Sequence, residues 1–345
     1  MGLGILLGRR QGAVYSPPLI HRLLRPGTSG NTINGHGERR PRRPRHVYHE
    51  NTPGMPWRRL QVWFYLRMGL KPIYWRPLRR MQRLLRAPDA PVAASRRQAS
   101  PQEWASSVRQ QARGAGADLV GVARLRPEWF FDGVEVPTEP WIVLLGAAMD
   151  HPTMMRLAER GHDSVADAHV IDVYNEVTAT SRRLAAWIRA QGYAASCGTG
   201  PSAGRLTLIP AALEAGFGEL GKHGSIINRH LGANFRLGYV ITDMPLVADR
   251  PDEFGADDFC IGCQVCRRNC PPDAIFDTRQ WVRGVQRWYV DFDRCIPYFN
   301  DAEGCGICIA VCPWSRPDAA PRLVAKMARR RGRARAGDTQ AAGAC

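Results

Sequence analysis

Eight of the ten cysteines in this 345-residue chain fall between residues 260 and 312, in two runs whose spacing suits metal ligation. The first run is Cys260-x2-Cys263-x2-Cys266-x3-Cys270, followed by Pro271. The second is Cys305-x2-Cys308-x3-Cys312, followed by Pro313, and Cys295, ten residues upstream, supplies an eighth thiolate. Three cysteines two residues apart wrap one [4Fe-4S] cubane, while a fourth ahead of proline turns toward a neighbouring cluster. That crossing puts Cys260, Cys263, Cys266 and Cys312 on one cluster and Cys270, Cys295, Cys305 and Cys308 on the other. Two clusters with crossed ligands lie close together, which suits electron transfer. CxxC pairs also hold tetrahedral zinc, but zinc does not require the x2-x2-x3 spacing or two Cys-Pro endings. Cys197 and Cys345 lack partner spacing, so Cys197 reads as a small buried hydrophobe and Cys345 as an exposed terminal thiol.

The elements that must position these residues follow from periodicity. Ser100 to Ala115 reads as a helix with Ser100 as N-cap, Pro101 in its first turn and Glu103 completing a capping box. Apolar runs at Ala117 to Ala123 and Trp141 to Met149 read as buried strands. Asp167 to Gln191 carries Val170, Val173, Tyr174, Val177, Leu184, Trp187 and Ile188 at helical spacing, and Gly192 ends it. Alternating helices and strands up to about Leu246 imply an α/β sandwich. From Asp257 to Pro317 the pattern becomes short turns and cysteines, a small domain organised by metal. A domain of that size needs only about 60 residues, so the body before it must hold what the electrons reduce.

The charge is uneven. The chain carries 48 basic and 31 acidic side chains, a formal charge of +17, and residues 1–97 alone hold 20 basic and 3 acidic ones. Residues 98–321, which contain the cysteines, are mildly acidic, so a nucleic-acid partner is not expected there. The first 97 residues, with the run Arg39-Arg40-Pro41-Arg42-Arg43-Pro44-Arg45, are expected to be mostly loosely ordered. The exception is Pro56 to Leu85, where Trp57, Trp63, Phe64, Tyr65, Tyr74 and Trp75 interleave with arginines and read as an arm wrapped on the body or, alternatively, as a segment lying on an anionic surface. Arg9-Arg10 is not followed by the apolar stretch an export signal needs, and no window is long enough for a spanning helix. A cytoplasmic protein with reduced cysteines is the expectation.

Five strings resemble the corrinoid-dependent reductive dehalogenases. They are Gly116-Ala-Asp-Leu-Val-Gly-Val-Ala-Arg124, Glu214-Ala-Gly-Phe-Gly-Glu-Leu-Gly-Lys222, Arg236-Leu-Gly-Tyr-Val-Ile-Thr-Asp-Met-Pro-Leu246, Asp291-Phe-Asp-Arg-Cys-Ile-Pro-Tyr-Phe299 and Gly304-Cys-Gly-Ile-Cys-Ile-Ala-Val-Cys-Pro-Trp-Ser315. The resemblance implies an α/β (α+β) fold: a nitroreductase-like corrinoid-binding sandwich over 98–250, followed by a two-cluster bacterial ferredoxin-like domain over 251–321. A basic arm (1–97) and a basic tail (322–345) flank them. It implies electrons passing through both clusters to a base-off cobalamin, which removes halide from an organohalide, often an aryl one.

The resemblance also implies site residues. The family's catalytic tyrosine matches Tyr174, ahead of Gly192-Tyr193-Ala194-Ala195, and its basic partner matches Arg236. A phenol can give a proton to the carbon that halide leaves, and a nearby cation eases the transfer. Alternatively, Tyr174 is plain core and Arg236 pairs with Asp243. The glycine-rich stretches 198–204 and 216–224 would let backbone approach the corrin, with Gly218, Gly221, Lys222 and His223 as candidate contacts. Asp167-Ala-His169 only approximates the Asp-x-His-x-x-Gly string of another cobalamin fold and reads as helix surface. An external donor such as a ferredoxin or flavodoxin is implied. The rivals are an epoxyqueuosine reductase-like enzyme acting on tRNA and a corrinoid-free electron-transfer protein.

Overall fold

The computed structural model describes residues 15–48, 55–199 and 204–342, with side chains of the last helix described up to residue 332. Cys345 lies outside the described residues, as do Arg9-Arg10 and part of the first glycine-rich stretch.

Among the described residues four helices precede the body: α1 (Leu19–Leu24), α2 (Gly30–Asn34), α3 (Arg58–Gly69) and α4 (Pro72–Arg86). The body opens with α5 (Pro101–Gly114). Its Ser100 hydroxyl accepts from the Glu103 amide while the Glu103 carboxylate accepts from the Ser100 amide, so the expected capping box is present. β1 (Leu119–Arg124), β2 (Trp141–Ala148), α6 (His151–Arg160) and α7 (Ser164–Ala190) follow. Helix α7 starts three residues before the expected Asp167, because Asp163 accepts from the Val165 and Ala166 amides and is itself held by Arg156 and Arg160. Then come β3 (Ala195–Thr199), α8 (Leu208–Glu214), the short hairpin β4 (Glu219–Leu220) and β5 (Ile226–Ile227), and β6 (Phe235–Thr242).

The main sheet has order β1-β2-β6-β3 and every pair is antiparallel. Strand β2 is apolar throughout because helices cover both of its faces. Val143, Leu145 and Ala147 pack with Val108 of α5 and Val177 and Leu184 of α7, whereas Ile142 and Leu144 pack with Ala211 and Ala212 of α8. The same alternation sorts β6. Phe235, Tyr239 and Ile241 face α8, and Val240 faces α7.

The cysteine region holds α9 (Ala256–Gly262), α10 (Val265–Arg268), the hairpin β7 (Gln280–Val282) and β8 (Val285–Arg287), α11 (Phe292–Asp301) and α12 (Ile307–Ala310). The chain then forms α13 (Ala319–Ala342), whose Ala320 and Met327 are buried with Trp314 and Phe254, so the expected tail starts as a packed helix.

The expectation of a loosely ordered segment before residue 98 does not hold for its described part. Asn31 donates to Asp291 (2.8 Å) and accepts from the Phe292 amide (2.8 Å), and Ser29 donates to Asp293. Trp57 is fully buried edge-on to Phe292, with ring centroids 5.1 Å apart. Leu60, Phe64, Met68 and Tyr74 are buried too, so the aromatic stretch is an arm on the body, as its composition implied. Even the arginine run, which forms no regular element, is anchored: Arg43 donates to the carbonyls of Phe130, Phe131 and Val134. These partners lie far away in sequence, which is why composition alone misjudged the segment. Among the described residues no helix is long and apolar enough to cross a membrane.

Candidate functional site

The first cysteine group forms where α9 and α10 meet the chain end of α12. Cys260, Cys263, Cys266 and Cys312 line one small cavity together with Lys222, His223 and Trp314. Burial first, and then the facing sulfur of Cys263, pushes the Cys260 thiol up to about 12, while the Lys222 amide donates to it and lowers it. The nine described cysteines form no disulfide. Cys270, Cys295, Cys305 and Cys308 form the second group: each of the last three is raised by burial first and then by other sulfurs of the same four. The Ala274 amide donates to the Cys270 sulfur at 3.3 Å. Buried thiols grouped in this way would release their protons on binding a metal as thiolates, which the ligand spacing anticipates.

The residues around the first group fit an iron–sulfur cluster rather than a bare thiol cavity. His223 accepts from the Ser225 amide on Nδ1 (3.2 Å), so its hydrogen sits on Nε2, which is buried without a partner. The Trp314 indole N–H is likewise buried and unpartnered. Orphaned buried donors are costly, and cluster sulfides are acceptors that would satisfy them.

Lys222 and His223 therefore face the cysteines, whereas the resemblance implied contacts to the corrin. Gly218 and Gly221 shape the β4–β5 hairpin that carries them. Gly218 has φ +128° and lies so close to the Ile227 carbonyl that a Cβ would sit 2.0 Å from its oxygen. The hairpin is fixed on the cysteine side by Glu219, which accepts from the Ala256 amide at the start of α9.

Tyr174 and Arg236 meet through the packing of α7 on β6. Arg236 shares the strand face of Val240, and Gly238 between them lets α7 close in, since a Cβ there would lie 2.6 Å from the Ser181 hydroxyl. The Arg236 guanidinium carbon stands 5.5 Å from the centroid of the Tyr174 ring. Arg236 does not pair with Asp243, which binds Arg96 at 2.6 Å instead. Its Nε is buried and unpartnered.

Both residues lie on the shared wall of two cavities. The larger, about 430 Å³, has an apolar side of Leu206, Ile226, Phe235 and Leu237, and the preceding arm closes it with His46 and Tyr48. That volume is within the range of small-molecule sites. An apolar wall with a half-buried guanidinium at its edge, one nitrogen of it on the Phe235 carbonyl (3.5 Å) and its Nε unpartnered, suits a flat ring with an acidic or polar rim. The smaller cavity, about 160 Å³, is lined by Phe64, Tyr65, Ile171, Phe299 and Cys305 as well as by the pair. A ligand of the second cysteine group thus reaches the wall where Tyr174 stands.

Three features were not foreseen. Tyr65 brings a second phenol from the arm: 44% of its surface is open, yet burial of its hydroxyl, and then the facing Tyr174, raises its pKa. Glu303, next to Gly304-Cys305, is buried and bound by Lys71 (2.6 Å), Arg67 (3.2 Å) and the Tyr74 hydroxyl (3.3 Å), all from the arm. Asp167 is buried on α7 rather than at its surface, and burial raises its pKa to about 6. Only the alternation of aromatic and basic residues hinted at the arm's part. His169 accepts from the Asp150 amide and lines neither cavity.

Residues 259–315, which include all eight clustered cysteines, match the 4Fe-4S dicluster domain family. Over 279 residues the chain is 31% identical to the tetrachloroethene reductive dehalogenase of Sulfurospirillum multivorans, a match covering 66% of this chain and 54% of that protein. A shorter match, 36% identity over 124 residues, links 31% of the chain to 29% of the epoxyqueuosine reductase of Escherichia coli strain K12. A catabolic reductive dehalogenase solved with 3-bromo-4-hydroxybenzoic acid superposes with a TM-score of 0.70 at 25% identity, over 78% of this chain and 41% of that one. The chain spans about half the length of the tetrachloroethene enzyme it resembles. By sequence and by fold, the chain belongs to the reductive dehalogenase family.

Proposed function

We propose that this chain is the catalytic body of a reductive dehalogenase acting on an organohalide, aryl halides included. The carrying observation is that Tyr174 and Arg236 stand between a cavity fit for a macrocycle and a cavity reached by Cys305. Cys260, Cys263, Cys266 and Cys312 would hold one [4Fe-4S] cluster, and Cys270, Cys295, Cys305 and Cys308 the other. A base-off cobalamin in the larger cavity would supply the reducing metal that takes the halide. Residues 98–250 would then form the corrinoid domain and 251–321 the cluster domain, with the arm as a third wall.

The chain's own residues have separable tasks. The Tyr174 hydroxyl donates its proton to the carbon that the halide leaves, and the Arg236 guanidinium beside the ring stabilises the phenolate that remains. The apolar lining of the smaller cavity keeps competing water from that carbon. An external one-electron carrier, a ferredoxin or flavodoxin, would refill the clusters. Eight cysteines assigned to iron–sulfur ligation would suit a reducing compartment, the cytoplasm.

The test is Tyr174→Phe, which keeps the ring and removes the hydroxyl. With cobalamin and iron content unchanged, turnover of bromo- and chlorophenols under a chemical reductant should drop by about 10²–10⁴. Full turnover by a loaded Tyr174→Phe would remove Tyr174 from the mechanism. The partial match to epoxyqueuosine reductase makes tRNA the counter-substrate: activity on it, and none on halophenols, would replace this reading.

A further inference from the structure

Lys222 is one of the largest fully buried side chains in the protein, only 1% exposed, and no carboxylate among the described residues lies within salt-bridge distance of it. Its ammonium has one carbonyl, that of Ile261 at 3.4 Å, and stands 4.9 Å from the centroid of the Trp288 ring. A buried charge that is not paired is among the costliest features a fold can carry. The residue is nonetheless held firmly, because its backbone amide donates to Cys260 and its side chain lines the cavity of Cys260, Cys263, Cys266 and Cys312. The charge it lacks is the one that four thiolates around an iron–sulfur core would bring.

The unpartnered His223 and Trp314 N–H groups line the same cavity. One carboxylate, Asp257, acts on Cys260 and raises its thiol, but it is engaged by Arg279 (2.6 Å) and by the Trp288 indole N–H (2.6 Å). The second group has a different setting. Asp291 faces Cys295 and Asp273 faces Cys270, and each of these carboxylates raises the thiol beside it. The cations beside it are Arg294, exposed and within 3.6 Å of Asp291 and 4.0 Å of Asp273, and Arg236, next to Cys308.

A positive charge and N–H···S hydrogen bonds stabilise the more negative, reduced form of a cluster, whereas facing carboxylates oppose it. We propose that Lys222 and His223 set the reduction potential of the cluster held by Cys260, Cys263, Cys266 and Cys312, making it the more easily reduced of the two. It would fill first, taking one electron from a low-potential one-electron carrier with no proton uptake. The cluster with Cys305, next to Tyr174, would be the weaker acceptor and the stronger donor. This rests on the two-cluster reading above and adds an order to it.

The experiment is an anaerobic redox titration of the iron-loaded full chain with dithionite and mediators, followed by electron paramagnetic resonance. Two one-electron waves are expected, and Cys312→Ser should remove or distort the one at higher potential. Lys222→Gln should weaken reduction of that centre at least tenfold, which is about 59 mV for one electron, and leave the other wave in place. Lys222→Arg, which keeps the charge, should restore it. His223→Phe removes the Nε2–H, together with the Nδ1 acceptor of the Ser225 amide, keeps Lys222 and should lower the same wave, and it carries the test if Lys222→Gln fails to take up iron. The proposal is overturned if these variants move the lower wave, or neither, or if Cys312→Ser abolishes the lower one. An unmodified chain that takes up fewer than two clusters refutes the underlying reading instead.

Discussion

Trp57→Ala tests whether the arm is a structural wall of the site. Trp57 is fully buried, edge-on to Phe292 and beneath Arg25, whose guanidinium carbon is 5.6 Å from the ring centroid. Replacing a buried tryptophan by alanine costs about 3–5 kcal/mol. The indole N–H is itself buried without a partner, so its removal returns about 1 kcal/mol. The net, about 2–4 kcal/mol, corresponds to roughly a 30- to 700-fold rise in the population of the undocked arm. Arginines throughout the arm make trypsin the natural probe, because cleavage in the native state follows the open population when reclosing is fast. The expected result is limited proteolysis accelerated by that factor. Leu66→Ala, on the same helix but 59% exposed, should stay within about 0.5 kcal/mol of the parent. Equal cleavage rates for Trp57→Ala and the parent would refute the reasoning, since the arm would then be held without this anchor.

Cys312→Ser should cost the cluster of Cys260, Cys263 and Cys266 and spare the other; anaerobic iron and sulfide analysis showing loss of the Cys305 cluster instead would reverse the ligand pairing. Asp167, raised to about 6 mainly by burial, keeps a proton in the fold that the unfolded chain has already released, so it makes stability fall as pH climbs from the ordinary carboxylate range toward 6. His162, whose pKa is raised chiefly by Asp167, 3.4 Å away, adds a loss of the same sign at higher pH. Asp167→Asn should therefore gain urea resistance relative to the parent between about pH 4.5 and 7, and a pH-independent difference would discard this account.

Local chemistry was the legible part of the sequence. The Ser100–Glu103 capping box, the apolar strand at Trp141 and the meeting of Cys260, Cys263 and Cys266 with Cys312 depend on residues close in sequence or on a fixed ligand geometry, and each is present in the fold. The approach of Tyr174 to Arg236 followed from a family resemblance, and the parity of β6 together with Gly238 gives its physical cause. The direction of Lys222 and His223 was not legible, because the hairpin carrying them has strands of only two residues and no periodicity to show which way it faces. The arm was misjudged for another reason. Its anchors are polar pairs such as Asn31 with Asp291, and a residue's partner more than 250 positions away leaves no mark on its neighbours.

That separation also fixes an order in time. Ser29 and Asp293 are 264 residues apart, and at a synthesis rate of about 5–20 residues per second the arm waits roughly 13–50 s on the ribosome before its anchor exists. Contacts of such long sequence separation are also the slowest to form in the released chain. The side of the larger cavity is consequently built in two stages: His46 can stack on Phe131 early, whereas Tyr48, whose hydroxyl donates to Asn300 (3.0 Å), seats only after the sheet strands have been made.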